Sequence, residues 1–180
     1  SECARMGIPV LPPEINSSRK GFTIIKKDVA DEIRFGLLTI KNLGSNTVDA
    51  VLAERDARGT FTSFQDMLDR LPPHDVNKKS LEALVKSGTL DQLVERNQVL
   101  QNMDAILEYN REANKSRAQN QTSLFSITDT AVSTLRLPEA PAATISERLA
   151  WEKELLGLYV SGHPLDAYKS KTPPGCSKIS

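Results

Sequence analysis

Aromatic residues are scarce in this 180-residue chain, at 5%, and hydrophobic residues together reach only 39%. That is thin for one compact core of ordinary size, so uneven folding is expected. Cysteine is nearly absent: Cys3 and Cys176 lie near opposite ends with no CxxC partner, which disfavours a zinc site and a disulfide framework and fits a reducing cytoplasm. Histidine is equally sparse. His74 and His163 each sit beside a proline in a turn, with no Cys, Asp or Glu at ligand spacing, the pattern of surface histidines rather than of ligands or bases. Neither sign of charge is in excess, with 23 Lys+Arg against 23 Asp+Glu, so any contact with nucleic acid must be local. No apolar run reaches the length of a membrane span and no signal pattern opens the chain, which reads as soluble and unexported. No P-loop, GxSxG or HExxH occurs, so no catalytic residue is assigned. The acids Asp28, Asp31 and Glu32 read as a solvated turn in preference to a metal site, and no metal ligand is assigned.

What the chain does have is a stretch with a recognised mechanical form, Ile33 to Arg55, IRFGLLTIKNLGSNTVDAVLAER, read as helix, tight turn, helix. In the turn, Gly44 can take positive φ without steric cost and Asn42 at small cost. The following helix has Ser45, Asn46 or Thr47 as candidate N-cap and carries Val48, Val51, Leu52 and Arg55 at helical spacing. Free N–H groups at the positive end of a helix dipole make a site for a phosphate oxygen, with Lys41 adding one charge contact. The competing reading is a plain helix–helix turn.

Upstream, Gly7, Pro9, Pro12 and Pro13 force an extended path on SECARMGIPVLPPEIN, which looks like the middle of a larger protein. Thr23-Ile24-Ile25 and Ile33-Arg34-Phe35 flank a charged turn and predict a hairpin. Downstream, Gly59 ends the first helix, and Ser63 caps a second in which Phe64, Met67, Leu68 and Leu71 form the apolar face. Asn77 caps the next, with Leu81, Leu84 and Val85 inward and Gly88 as the stop. Helix, turn, helix therefore occurs twice, and packing both units into one body is the economical way to bury their stripes. Asn77, Lys78 and Lys79 at the second helix start offer a further phosphate contact, or else a simple cap and a solvated face.

A longer helix is expected from Leu93 to about Arg117. Residues 118–143, rich in Gln, Ser, Thr, Ala and Pro, read as a flexible linker. Thr144 and Glu147 have capping-box spacing, and the apolar helix they open is expected to end at Gly162-His163-Pro164. Within the linker lies Gln121-Thr122-Ser123-Leu124-Phe125. Exposing Leu and Phe together is sensible if a partner takes them up as an extended peptide. Burying both would yield roughly 3–6 kcal/mol before ordering costs, against ~8 for micromolar binding, so it would be a weak tether. The other reading is disorder, or the two residues folding back onto the body.

Taken together, these stretches resemble one family, the alpha subunit of bacterial replicative DNA polymerase III. SECARMGIPVLPPEIN is similar to the end of its fingers region, IRFGLLTIKNLG and VNKKSLEALVKSGTLD to its tandem helix-hairpin-helix domain, and QTSLF to its internal sliding-clamp-binding pentapeptide. WEKELLGLYVSGHPLD resembles the segment leading into its oligonucleotide-binding fold. The resemblance implies a mainly α fragment with a short β-hairpin. Its parts are the end of the fingers region (1–32), the tandem helix-hairpin-helix domain (33–117), a linker with the clamp peptide (118–143), a lead-in helix (144–168) and an uninterpreted tail (169–180). Carried over residue by residue, it implies DNA-backbone contacts at Asn42, Gly44 and Asn46, which join Lys41, Ser45, Thr47, Asn77, Lys78 and Lys79 from the reading of the two turns above, and clamp contacts at Gln121, Leu124 and Phe125. Asn42 stands where the family has its first hairpin glycine. Expected partners are duplex DNA, the sliding clamp and other holoenzyme subunits. No cofactor is expected here, since the palm carboxylates that hold magnesium lie outside this chain, which is expected to be inactive alone. Two rival classes are a protein-only helical adaptor and a helix-hairpin-helix DNA glycosylase. The latter needs a Lys or Asp in a base-flipping pocket, which Asp49, Asp56 and Lys78 do not supply.

Overall fold

A computed structural model describes residues 8–27, 31–122 and 135–162, with backbone alone for 117–122. The elements run β1 (Val10–Leu11), β2 (Thr23–Ile25), β3 (Glu32–Arg34), a 3-10 turn (Leu37–Thr39), α1 (Ser45–Arg58), α2 (Phe64–Arg70) and α3 (Lys78–Lys86). They continue through α4 (Arg96–Gln101), α5 (Met103–Thr122) and α6 (Ile145–Leu156). The fold is mainly α with a short β-hairpin, as the sequence predicts. In that hairpin β2 and β3 pair antiparallel with Ile24 opposite Ile33. β1, not anticipated among the prolines, pairs parallel with β3 to give the order β1-β3-β2. It needs no proline donor, because Ile33 N–H donates to Pro9 O (2.9 Å) and Phe35 N–H to Leu11 O (3.1 Å). An edge strand tolerates proline for this reason.

Most helix ends follow their local signals. Ser63 Oγ accepts from Asp66 N–H at 3.0 Å, and Asn77 with Ser80 and Thr144 with Glu147 form reciprocal capping boxes. Gly59 and Gly88 sit at positive φ as helix stops. Three boundaries differ from expectation. The first hairpin is entered by a single 3-10 turn rather than a helix, because β3 occupies the preceding residues and Gly36 packs so closely on Gly21 that a Cβ would lie 2.2 Å from its carbonyl carbon. The helix expected over 93–117 is two, α4 and α5. They part at Asn102 (φ −110°, ψ 19°), whose side-chain amide donates back to Gln98 O at 2.8 Å. The last helix ends at Leu156, with Gly157 left-handed, well before Gly162.

The stretch read as a linker is partly engaged. α5 continues through Thr122, and residues 135–143 lie against the body. Gln98 Nε2 donates to Leu137 O (3.2 Å), Leu135 N–H to Gln65 Oε1 (3.2 Å) and Ala143 N–H to Glu95 Oε1 (2.7 Å). All three bonds use the strap's backbone, so its composition carries no signal of them. The tail 169–180 lies outside the described residues.

A contiguous core joins both hairpin units. Val48 and Val51 of α1, Met67 and Leu68 of α2, and Leu81 and Leu84 of α3 meet there, with Ile15 below and Leu155 of α6 alongside. Each such burial stabilises by roughly 1.5–3 kcal/mol. Arginines stitch the seams. Arg55 Nη1 donates to Ile15 O (2.9 Å) and Ser18 O (2.8 Å), while Arg70 Nη2 donates to Glu54 O (2.6 Å) and Gly59 O (2.9 Å). Arg70 also lies over the Phe61 ring at 4.3 Å.

Candidate nucleic-acid interface

The first hairpin turn runs from Ile40 to Gly44, and its shape rests on Asn42. With φ 67°, Asn42 is the one non-glycine residue at positive φ among those described. The left-handed region costs most L residues ~1–2 kcal/mol, and asparagine tolerates it by local hydrogen bonding. Gly44, expected to supply the positive φ, does not. It is extended (φ −76°, ψ 153°) and is itself the N-cap of α1. Neither Ser45, Asn46 nor Thr47 is the N-cap, and no side-chain cap bond from the described residues closes the helix start. Thr47 lies inside the first turn, three residues past the N-cap, where it is buried and gives its hydroxyl to Asp75 O at 2.6 Å. The start of α1 therefore presents N–H groups at the positive end of its dipole. A Cβ built on Gly44 would meet nothing within 4 Å, so this approach is open. Lys41, Asn42, Ser45 and Asn46 around it are exposed.

The second helix start is built differently. Asn77 Oδ1 accepts from Ser80 N–H, and Ser80 Oγ accepts from Asn77 N–H, both at 3.0 Å, so the Asn77 side chain is committed to the cap. Lys78 and Lys79 stand exposed beside it, with Lys78 Nζ 3.2 Å from Asp104 Oδ1. Ser80 Oγ also lies 3.3 Å from Asp75 O, so one carbonyl takes hydroxyls from both α1 and α3. This joins the two helix starts. Asn42 and Lys79 in turn line a common cleft of about 150 Å³, together with Glu82, Lys86, Glu154 and Leu155.

The acids of α1 are engaged elsewhere. Asp49 pairs with Lys20 (2.7 Å), Asp56 with Arg19 (3.5 Å), and Glu54 with Arg58 (3.5 Å) and Arg70 (3.4 Å). Asp75 is a residue that sequence reasoning missed, and it acts through its backbone, which leaves no signal.

A second missed feature is a buried ion cluster behind the turn. Arg96 makes a bidentate contact with Asp91 (2.8 and 2.7 Å), donates to Lys86 O (3.1 Å) and reaches Glu152 Oε1 at 3.2 Å. Glu152 also accepts from Val160 N–H (3.0 Å), Ser161 N–H (2.9 Å) and the Ser161 hydroxyl. Burial works against its charge, but the bonds from Ser161, Val160 and Arg96 outweigh it and hold the carboxyl below its ordinary value. Gly88 is required here, since a Cβ would fall 2.5 Å from the Arg96 guanidinium. The sequence does carry one sign of this cluster, a glutamate at helical spacing among Leu149, Leu155 and Leu156.

Among the described residues no three His, Cys, Asp or Glu side chains gather to hold a metal ion, and no helix is long and apolar enough to cross a membrane. Gln121 falls on the backbone of α5, whereas Leu124 and Phe125 lie outside the described residues.

The helix-hairpin-helix motif family matches residues 7–100. Beyond that segment, the chain is similar to DNA polymerase III alpha subunits. It is 41% identical over 175 residues to that of Thermus aquaticus, covering 97% of this chain and 13% of the relative. It is 38% identical over 172 residues to that of Borreliella burgdorferi (93% and 15%), and 36% over 184 residues to that of Deinococcus radiodurans (100% and 13%). The chain thus spans only 13–15% of the length of these relatives. It belongs to the helix-hairpin-helix motif family, and nearly its whole length corresponds in sequence to one segment of the bacterial DNA polymerase III alpha subunit.

Proposed function

We propose that this segment grips the sugar-phosphate backbone of duplex DNA without reading its sequence, as part of a replicative polymerase, and that it carries a second anchor for the sliding clamp. The observation that bears most weight is the uncapped start of α1 at an open turn, fastened to the start of α3 through the Asp75 carbonyl. Backbone N–H groups and a helix dipole attract phosphate oxygens of any sequence, and Lys41 and Lys79 add point charges. Magnesium-dependent nucleotidyl transfer is assigned to other parts of the polypeptide, and contacts to further holoenzyme subunits belong to the same reading.

The test is equilibrium binding of the chain to mixed-sequence duplexes over a range of salt. Affinity should fall as salt rises, independent of sequence, as counterions are released. Absent or salt-independent binding would favour a protein-only adaptor. The clamp anchor is assigned to Gln121, Leu124 and Phe125. Capture of the chain by an immobilised bacterial sliding clamp should be lost in the double variant Leu124→Ala, Phe125→Ala, and unchanged capture would exclude that role.

A further inference from the structure

The turn assigned to phosphate does not stand on its own hairpin alone. Lys41 N–H, inside the turn, donates to Leu155 O of α6 at 3.0 Å, and Leu155 itself is buried in the common core. Glu154 and Leu155 form one wall of the cleft that Asn42 and Lys79 line. The region matched by the helix-hairpin-helix family ends at residue 100, so this support comes from outside it. Beside Leu155 and Leu156 in the core and Arg148 on Glu95 (3.4 Å), the buried cluster helps to keep α6 in place. Glu152 is 2% exposed and Arg96 3%, and Arg96 is pinned in turn to Asp91 and to the carbonyl that ends α3. Such a pair contributes little by burial but is costly to break, because the remaining charge is left without a partner. It also fixes geometry on both sides, since the same carboxylate holds the chain leaving α6 through Val160 and Ser161.

We propose that Glu152 is a positioning residue for the first hairpin: held by Arg96, it sets the last turn of α6 so that Leu155 O braces Lys41 and holds the Asn42–Gly44 turn in its phosphate-binding shape. The brace stands on geometry alone. Its consequence for DNA rests on the function proposed above.

The experiment uses the full chain and two variants, Glu152→Gln and the milder Ser161→Ala, each followed by residue-resolved amide exchange and by duplex binding. In Glu152→Gln, exchange should quicken by about tenfold at Lys41 as well as at Val160 and Ser161, while Leu81 in α3 stays protected. Duplex affinity should fall by a factor of about three to ten without a change in its salt slope, since no charge that meets DNA has been removed. Ser161→Ala should move the same amides less, and it decides the matter if Glu152→Gln loosens Leu81 too. Unchanged exchange at Lys41 beside faster exchange at Val160 and Ser161 would overturn the brace. Faster exchange at Lys41 with unchanged affinity would overturn its link to DNA. If the unmodified chain binds no duplex, the proposed function fails, while the exchange data still decide whether the brace exists.

Discussion

Thr47 donates its hydroxyl to the Asp75 carbonyl oxygen at 2.6 Å, and the Ser80 hydroxyl, whose one proton is shared with Asn77 O at 3.0 Å, lies 3.3 Å from the same oxygen. The two helix starts of the tandem motif are therefore related by a shared acceptor in the second turn, and not only by the core to which Val48 and Leu81 both belong. Because Ser80 also serves the Asn77 cap, the Thr47 bond is the stronger part of the tie. Thr47→Val keeps shape and volume but removes the donor. It should lower stability by about 1 kcal/mol, the usual worth of one buried hydrogen bond, read as a shift in the urea midpoint at constant slope.

Gly44 separates fold from function. Its backbone is extended and its missing Cβ faces open space, so no close contact requires a glycine there, and only its place as the N-cap of α1 favours one. Gly44→Val should lower stability by no more than about 1 kcal/mol, the cost of a poorer N-cap, and still weaken duplex binding, about equally for all sequences, by filling the approach to the α1 start. Weakened binding accompanied by loss of structure would point instead to an internal role.

Asn42 makes the opposite case. At φ 67° its backbone, not its contacts, governs which residues fit. Asn42→Ala should cost about 1 kcal/mol, whereas Asn42→Gly should be near neutral, as relief of the left-handed conformation offsets the greater freedom of the unfolded chain. Parallel denaturation curves of the two variants check this.

Stability should depend on acid in a defined window. Glu152 and Glu95 are both held below the usual glutamate value of 4.5: burial opposes this in each, and hydrogen bonds from Ser161 and Val160 to one, and from Ala143 and Gln98 to the other, prevail. A depressed folded value means that the stabilisation is complete above the unfolded value and is withdrawn as pH falls through the folded one. Denaturant midpoints should be flat near neutrality and decline once the pH drops below 4.5, and Glu152→Gln should flatten that decline. An equally steep acid loss in the variant would exclude Glu152 as a contributor.

Local chemistry was the legible part of this fold. Ser63, Asn77 and Thr144 cap the helices they precede, and Phe64, Met67, Leu68 and Leu71 turn inward as their spacing predicts, because caps and stripes are set within one or two turns of sequence. What could not be read was long-range backbone bonding. β1 through the Pro9 carbonyl, the strap over Gln98, and Lys41 on Leu155 all use atoms that every residue has. The cap of α1 differs from expectation because the helix begins before all three polar candidates: Gly44 is the N-cap, and Thr47, inside the first turn, bonds Asp75 O. Of the candidate site, the sequence marked the two turns and their cations, and it was silent on the braces that join them.

The bond from Lys41 to Leu155 also has a place in time. During synthesis at ~5–20 residues per second, the first hairpin leaves the ribosome on the order of ten seconds before its brace does. Through that interval the nascent chain holds the residues of α1 to α3 without Leu155 and Leu156, which complete the core, and without the Leu155 carbonyl that accepts from Lys41 N–H. The braced form of the turn is therefore available only once α6 has been made.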